Sequence, residues 1–217
     1  MVWEWVPRNV DRIVELLGEH LLLSLVPVLI ALVFAVPLGW LANRSAPARA
    51  VLIPASGLLY TIPSLALFVM LPGVLGTQIK SPVNVIVALT IYTVALLVRT
   101  IADALAAVPS MVVAAATAMG FKPARRFVSV ELPLAVPVLV AGLRVATVAN
   151  ISLVSVGALI GLGGLGGLFT DGYQRNIPSE ILTGIVLTVL LALLADAVLL
   201  AAGRFATPWD RARRSGA

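Results

Sequence analysis

The chain has 217 residues, of which 60% are hydrophobic and only 12% charged, with a formal net charge of +5. An ordinary soluble domain carries roughly 25% charged residues, and water could not cover so much apolar surface, so a mean hydropathy of +1.07 points to lipid as the main solvent. So few charges do not make the basic face of a nucleic-acid binder, and a chain with no cysteine has no disulfides or thiol chemistry.

Residues 1–20 carry Glu4, Asp11, Glu15 and Glu19 against Arg8 and Arg12. A secretory signal needs a basic start and a short apolar core. This flank is net acidic and the apolar run after it is span-length, so a retained first helix is expected. Residues 8–20 read as a short amphipathic helix on the membrane surface, within an external interfacial segment, 1–20. Five apolar runs follow, at residues 21–42, 51–71, 83–98 (reaching toward 108), within 134–162, and 181–202. Each is near the ~20 residues that cross a hydrocarbon core of about 30 Å. The fourth has room for a lead-in helix before the span proper. Pro27, Pro37, Pro54 and Pro63 fall inside spans, where neighbouring helices satisfy the freed carbonyls. The expectation is an all-α membrane protein of five transmembrane helices, one domain over 21–203, with a cytoplasmic tail at 204–217.

Lysine and arginine in short loops set orientation. Arg44 and Arg49, then Lys122, Arg125 and Arg126, then Arg204, Arg211, Arg213 and Arg214 lie on one side of a five-span chain. The other side has only Arg8, Arg12, Lys80 and Arg175. This bias puts the amino end outside and the carboxyl end in the cytoplasm.

The loop between spans three and four, about 109–133, is far longer than a turn requires. The stretch SMVVAAATAMG reads as a short helix closed by a glycine cap. KPARRF reads as the opening of a second, with proline in its first turn. Two short helices joined at Gly120 form a compact knob on the cytoplasmic face. It is either an ordered spacer or a docking site for a cytoplasmic partner.

Ala115, Ala116, Gly120, Val130, Leu132 and Pro133 have a spacing that resembles the coupling-loop signature of ABC importer permeases. Ala114 stands where that family usually has glutamate. TIPSLAL (61–67), VELPLAVPVLVAGLR (130–144) and IGLGGLG (160–166) resemble the glycine betaine/choline (osmoprotectant) permeases, while DGYQRN (171–176) leans toward the methionine permeases. The resemblance implies a type I importer fold and no cofactor in this chain. It implies a second permease chain, identical or paralogous, two cytoplasmic ATPase subunits and an external substrate-binding protein. The coupling loop would then comprise Ala114, Ala115, Ala116, Gly120, Phe121, Lys122, Pro123, Arg125, Arg126, Val130, Leu132 and Pro133. No phosphate-loop motif occurs, and neither Lys80 nor Lys122 follows a glycine. A secondary transporter or channel is the alternative from another class. Such carriers often show inverted repeats and broken-helix ion sites, and neither is visible in the sequence.

Gly161, Gly163 and Gly166 spell a dinucleotide fingerprint, but they follow an apolar run rather than a strand, so close helix packing or a flexible break is the better reading. Arg99, Arg144 and Asp196 read as charges inside the bilayer, where charges are usually paired. Arg99 and Asp103, four residues apart, can pair along one helix. Arg144 and Asp196 are at matching estimated depths, as a fixed pair or, with Thr61, Pro63 and Ser64, as a gate. An Arg144 at the interface is the other possibility. His20 reads as an interfacial residue. Trp3, Trp5 and Tyr173 suit an outer aromatic belt, and Trp40 and Trp209 an inner one.

Overall fold

The computed structural model describes residues 4–208, and every element among them is helical. Trp3, Trp209 and the arginines of the tail at 211, 213 and 214 lie outside the described residues. The chain opens with α1 (Trp5–Arg8) and α2 (Val10–Arg44). The separate surface helix expected over 8–20 is not formed. Residues 10–20 are the first turns of α2, which runs 35 residues without a break, about 52 Å at 1.5 Å per residue. No helix-stopping residue separates the polar turns from the apolar ones.

After α2, Ser45 caps α3 (Ala46–Thr61) by accepting the Ala48 amide at 3.4 Å. The second apolar run is not one straight helix. It bends by 100° between α3 and α4 (Ser64–Leu75). Pro63 has no amide to continue α3, and it disfavours helical backbone at Ile62, which adopts ψ 129°. Helix α5 (Pro82–Ala106) returns to the end where α2 finished, and α6 (Ser110–Ala118) and α7 (Pro123–Arg126) follow there. α7 is no free-standing second helix. It passes through a π-helical turn at Phe127–Glu131 into α8 (Leu132–Val156). A glycine-rich pair of 3-10 turns leads to α9 (Gly167–Gln174) and α10 (Pro178–Ala206). Four helical stretches are long and apolar enough to cross a membrane, or five if the bent α3–α4 pair counts as one span.

The centre of the molecule is α5 against α2. Ala31, Ala35, Gly39 and Ala42 recur every three or four residues on α2, so small side chains line one stripe and let the backbones approach. At Gly39 even a Cβ would collide with Ile101. Around this seam one apolar cluster gathers Ala35, Leu97, Val98, Ile101 and Ala146. A second, toward the opposite end, gathers Leu23, Phe68, Val85, Leu89, Val154 and Leu162. α10 packs outside this core, on α8 and α9, through Ile151, Leu165, Leu168 and Leu191.

Candidate functional site

The knob at 109–133 is built by its own backbone chemistry. α6 ends in a double cap: the Gly120 amide donates to the Thr117 carbonyl at 3.0 Å and the Phe121 amide to the Ala116 carbonyl at 3.1 Å. This Schellman pattern requires a left-handed residue, and Gly120 supplies it with φ +82°. The Arg125 guanidinium lies 5.1 Å over the Phe121 ring. Arg126, next to the exposed Arg125, turns inward. It donates to Thr117 Oγ1 at 2.7 Å and, through Nε, to the Glu131 carboxylate at 2.5 Å. Glu131 is buried. A carboxylate in that position needs a cation, which draws Arg126 away from the surface. The clamp joins α6 to the π turn, so the knob is one rigid unit. Where the wider turn ends, the Leu132 amide reaches the Phe127 carbonyl. It relieves Pro133, whose ring would crowd the Ser129 carbonyl in a regular helix.

The three alanines are not equivalent. Ala114 and Ala115 are exposed, whereas Ala116 is only 1% exposed and packs within the knob. Exposed Met111, Met119, Lys122, Pro123 and Arg125 complete the outer surface. Phe121, Val130, Leu132 and Pro133 are half-buried and root the knob. Below it, Phe127 meets the Trp40 ring at 5.6 Å, and Arg44 lies over the same indole. Trp40 is thus an anchor for the knob.

Thr61, Pro63 and Ser64 sit at the α3–α4 bend. Thr61 Oγ1 donates to the Leu58 carbonyl at 2.7 Å, and the Tyr92 hydroxyl donates to the Ile62 carbonyl. Tyr60 packs edge-on against the Tyr92 ring, 5.7 Å between centroids. Among the described residues no hydrogen bond or ion pair links this bend to Arg144 or Asp196.

Arg144 and Asp196 do meet. Nε and Nη2 of Arg144 donate to the two Asp196 oxygens, each at 2.7 Å, tying α8 to α10. Their side chains are 30% and 32% exposed, so the pair borders the outer surface of this chain and is not sealed in its core. Arg99 has the i,i+4 partner expected of it. Its side chain is 67% exposed and lies 3.9 Å from Asp103, while Asp103 accepts a 2.7 Å bond from Arg49. The i,i+4 pair is joined by a contact between helices, because Arg49 at the start of α3 reaches the other carboxylate oxygen more closely.

At the other end of the bundle His20 is fully buried rather than interfacial. Nε2 is 2.9 Å from the Ile151 carbonyl, and Nδ1 accepts the Leu165 amide at 3.2 Å. These partners define a neutral ring with its proton on Nε2. Gly164 (φ +48°) lies so close that a Cβ would stand 2.6 Å from that of His20. The glycine string is therefore a packing device. Beside it Arg12 binds Asp171 and donates to Glu180 at 2.9 Å, and Arg175 donates to Glu180 at 2.7 Å. This network holds the first turns of α2 against α9 and α10.

The model of the family described as "binding-protein-dependent transport system inner membrane component" matches residues 25–208. The chain belongs to this family. It is the permease subunit of an ABC importer, a multi-pass protein of the cell membrane and not an enzyme, and it works with an ATPase and a substrate-binding protein. This permease is 34% identical to the choline transport system permease protein OpuBB of Bacillus subtilis, over 88% of this chain and 86% of that protein. It is 32% identical to the glycine betaine/carnitine/choline permease OpuCB of the same organism, over 88% and 87%. With the ergothioneine transport permease/ergothioneine binding protein EgtU of Helicobacter pylori it shares 36% identity over 77% of this chain, but spans only 30% of that longer protein. An inward-facing structure of the MetNI methionine ABC transporter superposes with a TM-score of 0.83 at 25% identity, covering 92% of this chain and 98% of that one.

Sequence reasoning passed over Glu131, Tyr92 and the buried Asn150, which bonds Thr93 Oγ1 at 3.0 Å and the Ser24 carbonyl at 3.3 Å and so joins three helices. The available signal was a lone polar residue in an apolar run, which must find a partner.

Proposed function

We propose that this permease forms half of the path of an ATP-driven importer for a compatible solute with a quaternary ammonium head, such as glycine betaine, choline or proline betaine. The carrying observation is the set of relatives over 30% identical across nearly the whole chain whose names specify choline, glycine betaine or carnitine. Ergothioneine, named for another relative, has the same trimethylammonium chemistry. The complete machine has two permease chains, two cytoplasmic ATPase subunits and an external binding protein. The amino end lies outside and the carboxyl end in the cytoplasm. The knob at 109–133 seats in a cleft of the ATPase, and its clamped, capped construction suits a part that must transmit force without deforming. ATP closes the ATPase pair, the knobs move together, and the spans rock from inward-open to outward-open.

The test is reconstitution with the ATPase and binding protein, followed by uptake of labelled choline, glycine betaine, ergothioneine and methionine. ATP-dependent uptake of a quaternary ammonium solute is expected. Uptake of methionine alone would establish the methionine-type reading that the MetNI likeness favours. Uptake driven by a proton or sodium gradient without an ATPase would refute both.

A further inference from the structure

The α3–α4 bend presents unwound backbone where lipid would not accept it. Tyr92 is ten residues from one end of α5 and fourteen from the other, so its bond to the Ile62 carbonyl holds the bend near mid-span. Thr61, Ile62 and Pro63 are non-helical or helix-terminal there, and all are exposed on the chain. Irregular backbone at membrane depth is tolerated only inside protein or along a water-filled cavity. Among the described residues the Tyr60 and Thr61 carbonyls accept no backbone hydrogen bond, because Pro63 has no amide and Ile62 bonds back to Leu59. They stand at the negative end of the α3 dipole. Beside them Tyr60 is 46% exposed, while Tyr92, buried and pinned at its hydroxyl, fixes the Tyr60 ring edge-on.

We propose that this bend is a cation subsite on the translocation path, where the Tyr60 ring and the Tyr60 and Thr61 carbonyls receive a quaternary ammonium group in transit. The solute class rests on the proposed function. The cation preference rests on the bend alone. A trimethylammonium head donates no hydrogen bonds, so it is held by an aromatic face and by dipoles. Unwound carbonyls and a helix carboxyl end provide those at mid-membrane. A shallow site of this kind lets the solute leave again.

The chain has no cysteine, so Thr61→Cys gives a single reporter. In open membrane fragments its labelling rates are measured with trimethylammonioethyl methanethiosulfonate and with sulfonatoethyl methanethiosulfonate, each normalised to a free thiol in water. The cationic reagent should be favoured about tenfold. Tyr60→Phe should keep that preference and Tyr60→Leu should lose it, while added choline should slow the cationic reagent in the parent reporter. Equal normalised rates, or reaction only with a lipid-soluble maleimide, would each overturn the proposal. If uptake assays reveal another solute but the cationic preference persists, the solute assignment falls and the subsite stands. Because the readout is labelling, an inactive variant still reports.

Discussion

Arg144 and Asp196 hold each other through two parallel 2.7 Å bonds across the seam between α8 and α10. The two-pronged geometry matches guanidinium to carboxylate and fixes the angle as well as the distance of approach. α10 packs on the outside of the bundle, so this pair is one of few directional contacts that set its rotation. Breaking one side leaves a charge next to a low-dielectric surface. Arg144→Gln or Asp196→Asn should each lower the detergent melting temperature. Arg144→Asp combined with Asp196→Arg should recover part of the loss. Additive damage in the double swap would show that the residues do not act as a pair.

The knob predicts a split between neighbouring alanines. Ala115→Trp adds bulk on the exposed face and should abolish capture of the ATPase while leaving melting unchanged. Ala116→Trp forces a large ring into the buried side and should lower stability by a few kcal/mol, about 1–3 for overpacking. Gly120→Val must hold φ +82° with a branched side chain, at a cost of about 1–2 kcal/mol. Thermal melting and ATPase pull-down, measured on the same preparations, distinguish the two effects. Equal behaviour of Ala115→Trp and the parent would mean that the exposed face docks nothing.

The contact of His20 with the glycine string predicts strict size limits. Gly164→Ala places a methyl against the His20 backbone and should destabilise by about 1–3 kcal/mol. His20→Ala leaves the Leu165 amide without its side-chain partner and removes the second bond to the Ile151 carbonyl, and should cost a similar amount. The two losses should be less than additive, since both loosen one contact. Denaturation of the two single variants and the double variant forms the cycle.

Ser155 and Thr188 predict an improvement. Both line a cleft of about 320 Å³ between α8 and α10, and their buried hydroxyls have no hydrogen-bond partner among the described residues. Replacing an unsatisfied hydroxyl with an isosteric methyl removes a desolvation penalty. Thr188→Val should therefore raise the melting temperature, or at least not lower it. A clear drop would show that the hydroxyl has a partner in the membrane-embedded state.

Where helices form, and that the chain lies in lipid, were legible because hydropathy over some twenty residues is a local property. The knob's cap was legible for the same reason: Gly120 is the one residue type there that adopts a left-handed turn without strain, and its partners lie within four residues. The Arg144–Asp196 pair could be anticipated from depth alone, since helix rise converts residue number into ångströms. Other outcomes depended on what packs beside a residue. Arg126 turns inward only because folding buries Glu131. Asp103 takes Arg49 in addition to Arg99 because α3 starts against the end of α5. His20 is buried rather than interfacial because the glycine string, some 145 residues along the chain at Leu165, closes over it. Composition specifies which side chains need a partner. Which partner each obtains is decided when the helices meet, because burying a polar group is costly and the nearest satisfying atom wins.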